Sequence, residues 1–258
     1  MFTYFVSDVH LGLDVADPAG REARFVRFLR EIPVMRTSAV YLLGDIWDFW
    51  YEYRDVVPKG SVEVFAAIRE LIRAGVKVYF FQGNHDIWSY KYFEELGMIR
   101  LVQPYDVEID GKHFCLGHGD GLGPGMHGYK FMRACFHNKV LQALFSSLHP
   151  WFAFRLGKGW SKSSRLAKNT EYEFKGTAEP LYKYCLAYPQ PVDYFIFGHY
   201  HCHVDIPVSP VGAFGTPTTV TTTPTTVSGA PRLLLLRDWI SCSNWIEFDG
   251  TTCRYIEQ

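Results

Sequence analysis

Five times along this chain a short apolar run gives way to a cluster of glycine, aspartate, asparagine or histidine. Residues 3–7 lead into Asp8-Val9-His10, and residues 39–43 into Gly44-Asp45-Ile46-Trp47-Asp48. Residues 76–81 precede Gly83-Asn84-His85-Asp86, and residues 113–116 precede Gly117-His118-Gly119-Asp120. Tyr194–Phe197 precedes Gly198-His199-Tyr200-His201. Such runs read as buried strands, while the segments between them carry helical spacing: Phe25, Phe28, Leu29 and Ile32, then Phe65, Ile68 and Ile72. Ser61 is expected to cap the second helix and Gly75 to close it. Residues 107–109 and 113–117, joined by Asp110-Gly111, are expected to form a hairpin, and Tyr194–Phe197 is expected to be the last clear buried strand. Strands alternating with helices imply an α/β fold covered on both sheet faces. Ligands of such folds bind beyond the carboxyl ends of the strands, so the five clusters should meet on one rim.

The clusters supply Asp8, His10, Asp45, Asn84, His118, His199 and His201 as candidate metal ligands. Imidazole mixed with carboxylate and amide oxygen suits a first-row transition metal, and the absence of cysteine speaks against a structural zinc site. Seven donors exceed what one open catalytic ion needs. They suit two ions about 3.5–4 Å apart, a spacing that clamps a phosphoryl group and acidifies water. Gly44, Gly83, Gly117 and Gly198 lie beside the ligands, where a missing Cβ permits close backbone approach. Taken singly, each cluster is an ordinary strand-end turn. Taken together, in order and each after a buried strand, they define a site. Asp48 and Asp120 are expected to buttress ligands as hydrogen-bond acceptors.

This ordered set resembles the calcineurin-like metallophosphoesterases over about residues 3–203. The resemblance implies an α/β fold built as a four-layer α/β/β/α sandwich, and metal-dependent hydrolysis of a phosphate ester or anhydride. It implies that Asp8, His10, Asp45 and His201 hold one ion and that Asp45, Asn84, His118 and His199 hold the other, with Asp45 shared. It implies that His85 stabilises the transition state or protonates the leaving oxygen, oriented by Asp86. The two divalent ions are expected to be Mn2+, with Fe or Zn as alternatives. The resemblance implies that water activated at the metals would attack phosphorus in line, so no Ser or Cys nucleophile is assigned. Residues 44–53, 57–60, 118–125 and 128–131, with Asp238-Trp239, more narrowly resemble bacterial UDP-2,3-diacylglucosamine hydrolases of lipid A synthesis. That resemblance implies cleavage of the pyrophosphate to UMP and an acylated sugar 1-phosphate. His85 stands where the well-characterised hydrolases carry Arg, which keeps open a phosphomonoesterase or phosphodiesterase with another substrate.

His118 and His199 are 81 residues apart, whereas Asn84 and His118 are 34 apart. The surplus marks an inserted helical cap over 121–190, between core segments 1–120 and 191–258. Residues 126–148 read as one helical stretch, broken at Pro150. Residues 121–170 carry eight Lys or Arg and no Asp or Glu, with Phe131, Phe136, Phe145, Trp151, Phe152, Phe154 and Trp160 among them. A cationic, aromatic cap suits an anionic nucleotide-lipid substrate, and suits peripheral contact with an anionic inner-membrane surface. An amphipathic hairpin simply packed on the sheet is the alternative. The whole chain has a net charge of −1, so it is not uniformly basic, which speaks against a nucleic-acid partner. A second insertion, at 207–231, holds five prolines and eight threonines and no charge. No run of 18 apolar residues is present and the first residues lack a signal-peptide pattern; with six cysteines and no C-x-x-C spacing, a reduced, cytoplasmic protein is expected.

Overall fold

The computed structural model describes residues 1–167, 173–209 and 229–258. Most of the expected 207–231 insertion lies outside the described residues, as does Lys168. Two sheets stack face to face. The first contains β1 (Phe2–Val6), β2 (Thr37–Leu42), β3 (Lys77–Phe81), β4 (Ile99–Leu101), β10 (Asn244–Phe248) and β11 (Cys253–Glu257), in the order β11-β10-β1-β2-β3-β4. The second contains β5 (Tyr105–Ile109), β6 (Lys112–Leu116), β7 (Tyr194–Phe197), β8 (Val204–Pro207) and β9 (Arg232–Leu235), in the order β5-β6-β7-β9-β8. β1 to β4 run parallel, as do β6, β7 and β9.

The side-chain alternation of β1 explains the layers. Tyr4 and Val6 point to one face and join Phe25, Phe28 and Leu29 of α1 (Pro18–Glu31) and Val64, Ile68 and Leu71 of α2 (Val62–Arg73). Phe5 points to the other face, into an inter-sheet core with Tyr41, Phe81, Phe114, Leu116, Ile196, Leu234 and Phe248. Beyond the second sheet, Phe195, Phe197, Leu233 and Leu235 pack on Leu181, Tyr182 and Cys185 of α7 (Pro180–Leu186). The result is the α/β/β/α sandwich. The five clusters therefore come from the strand ends of two stacked sheets and meet where those ends adjoin.

Several local expectations shift. α1 begins earlier than the apolar spacing indicates, because Pro18 opens it and the Asp17 side chain accepts from Gly20 N at 3.0 Å. Ser61 occupies the cap position of α2 but is left-handed, at φ 53°, and its hydroxyl accepts from Trp47 Nε1 at 3.3 Å instead of capping. Gly75 closes that helix at φ 91°. Asp110 and Gly111 are both left-handed, as a tight hairpin turn requires. Among the described residues Tyr194–Phe197 is followed by four more strands, and β9 is among the most deeply buried.

The expected insert divides in two. α7 belongs to the outer helical layer. The projecting part is α4 (His127–His137), α5 (Lys139–Ser146) and α6 (Pro150–Ala167); the short α3 (Tyr92–Glu95) lies in the body. The single helical stretch expected over 126–148 is interrupted at Asn138, whose side chain accepts from Val140 N at 2.9 Å and Leu141 N at 3.1 Å. Asn138 caps a new helix there, and Pro150 starts another instead of only ending one.

Candidate metal centre

The end of β1 supplies Asp8 and His10, β2 runs into Asp45, and the loop after β3 carries Asn84 and His85. The second sheet adds His118 beyond β6, and His199 and His201 beyond β7. Asp8, His10, Asp45, His199 and His201 all hold φ between 52° and 68°. Left-handed backbone is costly for residues with a Cβ and concentrates at functional sites. Two glycines let the strand ends close in: a Cβ at Gly83 would run into the Asp45 carboxylate, and one at Gly198 into Ser7 and the Asp8 carboxylate.

Among the described residues three groups of donors result, one of them His10 with Asp48 and His85, and the other two made up of expected ligands. In the first of those two, Asp8 Oδ1 lies 3.2 Å from His201 Nε2 and 3.6 Å from His10 Nε2, and the two Nε2 atoms are 3.3 Å apart. In the second, His118 Nε2 lies 3.3 Å from Asp45 Oδ2 and 3.2 Å from Asn84 Oδ1, and the His199 ring centre is 5.1 Å from that of His118. All seven expected ligands are thus brought together, Asp45 with the second group.

The surroundings fix which atoms face inward. His118 Nδ1 lies 3.0 Å from the Leu43 carbonyl, which can only accept, so in neutral His118 the proton sits on Nδ1 and the Nε2 lone pair points into the site. Asp8 Oδ2 accepts from Ser7 Oγ at 2.5 Å and His199 N at 2.9 Å, whereas the fully buried Asp8 Oδ1 has no hydrogen-bond partner among the described residues. Asp45 Oδ1 accepts from His85 N at 2.8 Å, leaving Oδ2 inward. Buried acceptor atoms converging at such distances need a cation or protons between them. The residues present therefore fit a pair of divalent ions.

Electrostatics agree. Burial opposes charge on Asp8, but His201 and His10 outweigh it and hold the carboxyl well below its ordinary range. Burial likewise opposes protonation of His118, yet Asp45 raises it to about 10; at His201, Asp8 and Asp238 overcome burial and raise it to about 9. Without metal, the site stores protons.

Asp48 stands behind the expected ligand His10, whereas Asp86 and Asp120 take parts other than those expected. Asp86 accepts from the backbone N–H of Gly83 at 2.7 Å, Ile46 at 2.9 Å, Asp45 at 3.3 Å and Trp47 at 3.4 Å. It binds two ligand loops to each other, while burial and the neighbouring Asp45 push its carboxyl up. The carboxylate beside His85 is that of Asp48, with Oδ1 3.7 Å from His85 Nδ1 and 3.5 Å from His10 Nδ1. Asp120 anchors the cap, accepting from Arg133 Nη1 at 2.6 Å and Tyr129 hydroxyl at 3.0 Å. Sequence reasoning missed Asp238, whose Oδ2 is 3.3 Å from His201 Nδ1; its only signal was membership of the Asp238-Trp239 pair.

The cap packs on the body through part of its aromatic set. Phe145 and Phe136 lie 5.7 and 5.1 Å from Trp88, and Phe154 lies 6.2 Å from Phe49. The Tyr51 hydroxyl donates to Gln142 O at 3.0 Å. The rest of its apolar surface is open: Phe131 is 72% exposed, Leu144 61% and Trp151 57%, with Val140, Phe152 and Leu156 also exposed. Simple packing on the sheet does not account for that face.

The calcineurin-like phosphoesterase pattern matches residues 3–203, and this chain belongs to that family. It is a metal-dependent phosphoester hydrolase, of a family that uses a dinuclear metal site. The chain is 33% identical to a UDP-2,3-diacylglucosamine hydrolase of Porphyromonas gingivalis, over 96% of this chain and 94% of that one. It is also 33% identical to a UDP-2,3-diacylglucosamine hydrolase of Salmonella agona, over 66% of this chain and 70% of that one. A dimetal phosphatase from Danio rerio aligns over 100% of this chain and 98% of its own at 13% identity and a TM-score of 0.42, too slight a likeness to add to the assignment.

Proposed function

We propose that this chain hydrolyses the pyrophosphate of UDP-2,3-diacylglucosamine, releasing UMP and 2,3-diacylglucosamine 1-phosphate. The observation that carries this reading is a juxtaposition. A seven-donor centre adjoins a cap that is cationic and exposes a broad apolar face, and Asp120 roots that cap beside the centre. A phosphoanhydride fits the first part and acyl chains the second. The names of the relatives from Porphyromonas gingivalis and Salmonella agona support the same substrate.

In this reading Asp8, His10, Asp45 and His201 hold one ion, and Asp45, Asn84, His118 and His199 the other. Mn2+ is the expected occupant. When bound, the ions supply Lewis-acid charge for the phosphoryl oxygens and acidify water. His85 donates its Nδ1 proton to the Asp48 carbonyl at 2.8 Å and turns Nε2 toward Asp45, 4.0 Å away. Protonated at Nε2, it delivers that proton to the leaving oxygen. Asp86 acts indirectly, by holding the Asp45 and Asn84 loops together. Lys130 lies on α4, whose Tyr129 ring is 5.9 Å from that of His199, where it offers positive charge to the nucleotide phosphates, and the exposed face of α4–α6 takes the acyl chains or rests on an anionic bilayer.

The test is UMP release from UDP-2,3-diacylglucosamine by the purified, Mn2+-loaded protein, beside p-nitrophenyl phosphates and cyclic nucleotides. Release of UMP is expected. Turnover of the simple esters without UMP release would overturn the substrate and favour another phosphoester.

A further inference from the structure

We propose that Asp238 is a positioning residue that presets His201 for one of the two ions, and that its loop determines the affinity of that half of the centre. The inference rests on the two-ion reading above. Residues 236–243 cross from β9 in the second sheet to β10 in the first, so the segment ties the two sheets together at the rim where the ligands meet. It grips both sides of the first donor group. Trp239 N donates to the Asp8 carbonyl at 3.0 Å, and Asp238 Oδ2 faces His201 Nδ1 at 3.3 Å. Both of these contacts are made to residues of the first donor group.

The loop is itself held rigid. Asp238 Oδ1 accepts from Ile240 N at 2.9 Å, the Asp238 carbonyl accepts from Asn244 Nδ2 at 2.9 Å, and the Trp239 carbonyl accepts from Arg24 Nη2 of α1 at 3.0 Å. The Trp239 ring is fully buried against Phe25 and Phe28, with centroids 5.3 and 5.7 Å away. The core of the outer helical layer thereby sets the carboxylate position.

The chemistry follows from tautomers. A carboxylate only accepts, so it keeps the His201 proton on Nδ1 and leaves the Nε2 lone pair beside Asp8 Oδ1 and His10 Nε2. A carboxylate behind a ligating imidazole also raises its basicity, and such partners are worth about 10- to 100-fold in metal affinity. In the second donor group the corresponding partner of His118 is a backbone carbonyl, which no side-chain change removes. Asp238 thus offers a handle on one ion alone.

Asp238→Asn tests this. Its Oδ1 can still accept from Ile240 N, but the amide then presents N–H to His201 Nδ1 and favours the tautomer whose Nε2 is protonated and cannot ligate. Calorimetric titration of Mn2+ into the metal-free protein, with electron paramagnetic resonance of the coupled pair, reads the result. The expected outcome is two ions in the unaltered protein, and in the variant one class weakened about 10- to 100-fold with the other unchanged and the coupled signal lost at limiting Mn2+. Asp238→Glu should restore part of the weakened class. Equal affinities in variant and parent, or equal weakening of both classes, would overturn the inference. If Asp238→Asn fails to fold, Asn244→Ala, which frees the loop from one anchor, is read the same way. Failure of the unaltered protein to bind two ions would instead overturn the two-ion reading itself.

Discussion

The backbone carbonyl of Asp48 accepts a 2.8 Å hydrogen bond from Nδ1 of His85, and the same residue's carboxylate lies 3.7 Å from that nitrogen. One residue thus fixes the ring and leaves Nε2, on a side chain 14% exposed, turned toward Asp45 at 4.0 Å.

His85→Asn should therefore lower kcat by about 10²- to 10⁴-fold, the usual worth of a positioned acid, while KM changes little. Metal content should stay at two ions, because His85 is not among the proposed ligands. Steady-state kinetics alongside elemental analysis check this; loss of metal would move His85 into the ligand set.

Gly198→Ala should disable the centre through sterics alone. The added methyl meets the Ser7 hydroxyl and the Asp8 carboxylate, which have no room to retreat between the strand ends. Overpacking of this kind costs about 1–3 kcal/mol, so a lower melting temperature together with reduced metal loading is expected. A variant that melts and loads metal like its parent would show that the strand ends are looser than the geometry requires.

Metal binding should release protons. Without metal, Asp45 and Asp8 hold protons on His118 and His201, raised to about 10 and about 9. A ligating imidazole must shed that proton, so apparent affinity should fall as pH is lowered from about 9 to 6. Titration calorimetry in buffers of different ionisation enthalpy counts the protons; a pH-independent affinity with no proton release would contradict the assignment.

The exposed cap face should matter for lipid and not for folding. Trp151→Glu with Leu144→Glu changes residues that are 57% and 61% exposed, so stability should stay within about 0.5 kcal/mol. KM for UDP-2,3-diacylglucosamine should rise at least about tenfold, equivalent to ~1.4 kcal/mol, and sedimentation with anionic vesicles should drop. Turnover of a soluble nitrophenyl ester should not change. Equal loss on both substrates would mean that the cap acts on the centre itself.

Much of this protein was legible in its residue order. The ligand types and their places after apolar runs predicted an α/β frame with one rim, because strand ends recur with a local signature that needs no knowledge of distant contacts. The Asp110-Gly111 turn was readable for the same reason: its left-handed φ values are a property of two adjacent residues. What the sequence left undetermined was pairing between parts far apart in the chain. Asp86 follows His85 directly and looked like its partner, yet its carboxylate turns to four backbone N–H groups while Asp48, 37 residues away, meets the ring. Asp238 reaches His201 only because a loop crosses between two stacked sheets, and the Asp238-Trp239 pair alone does not say which residue it meets. The division of the strands into two sheets, the placing of α7 in the outer layer and the exposure of half the cap's apolar face likewise depended on which surfaces found each other. Residue chemistry states what a side chain can do. Which neighbour it does it with is decided by long-range packing, where burial of Phe5, Phe114 and Trp239 outweighs any local preference.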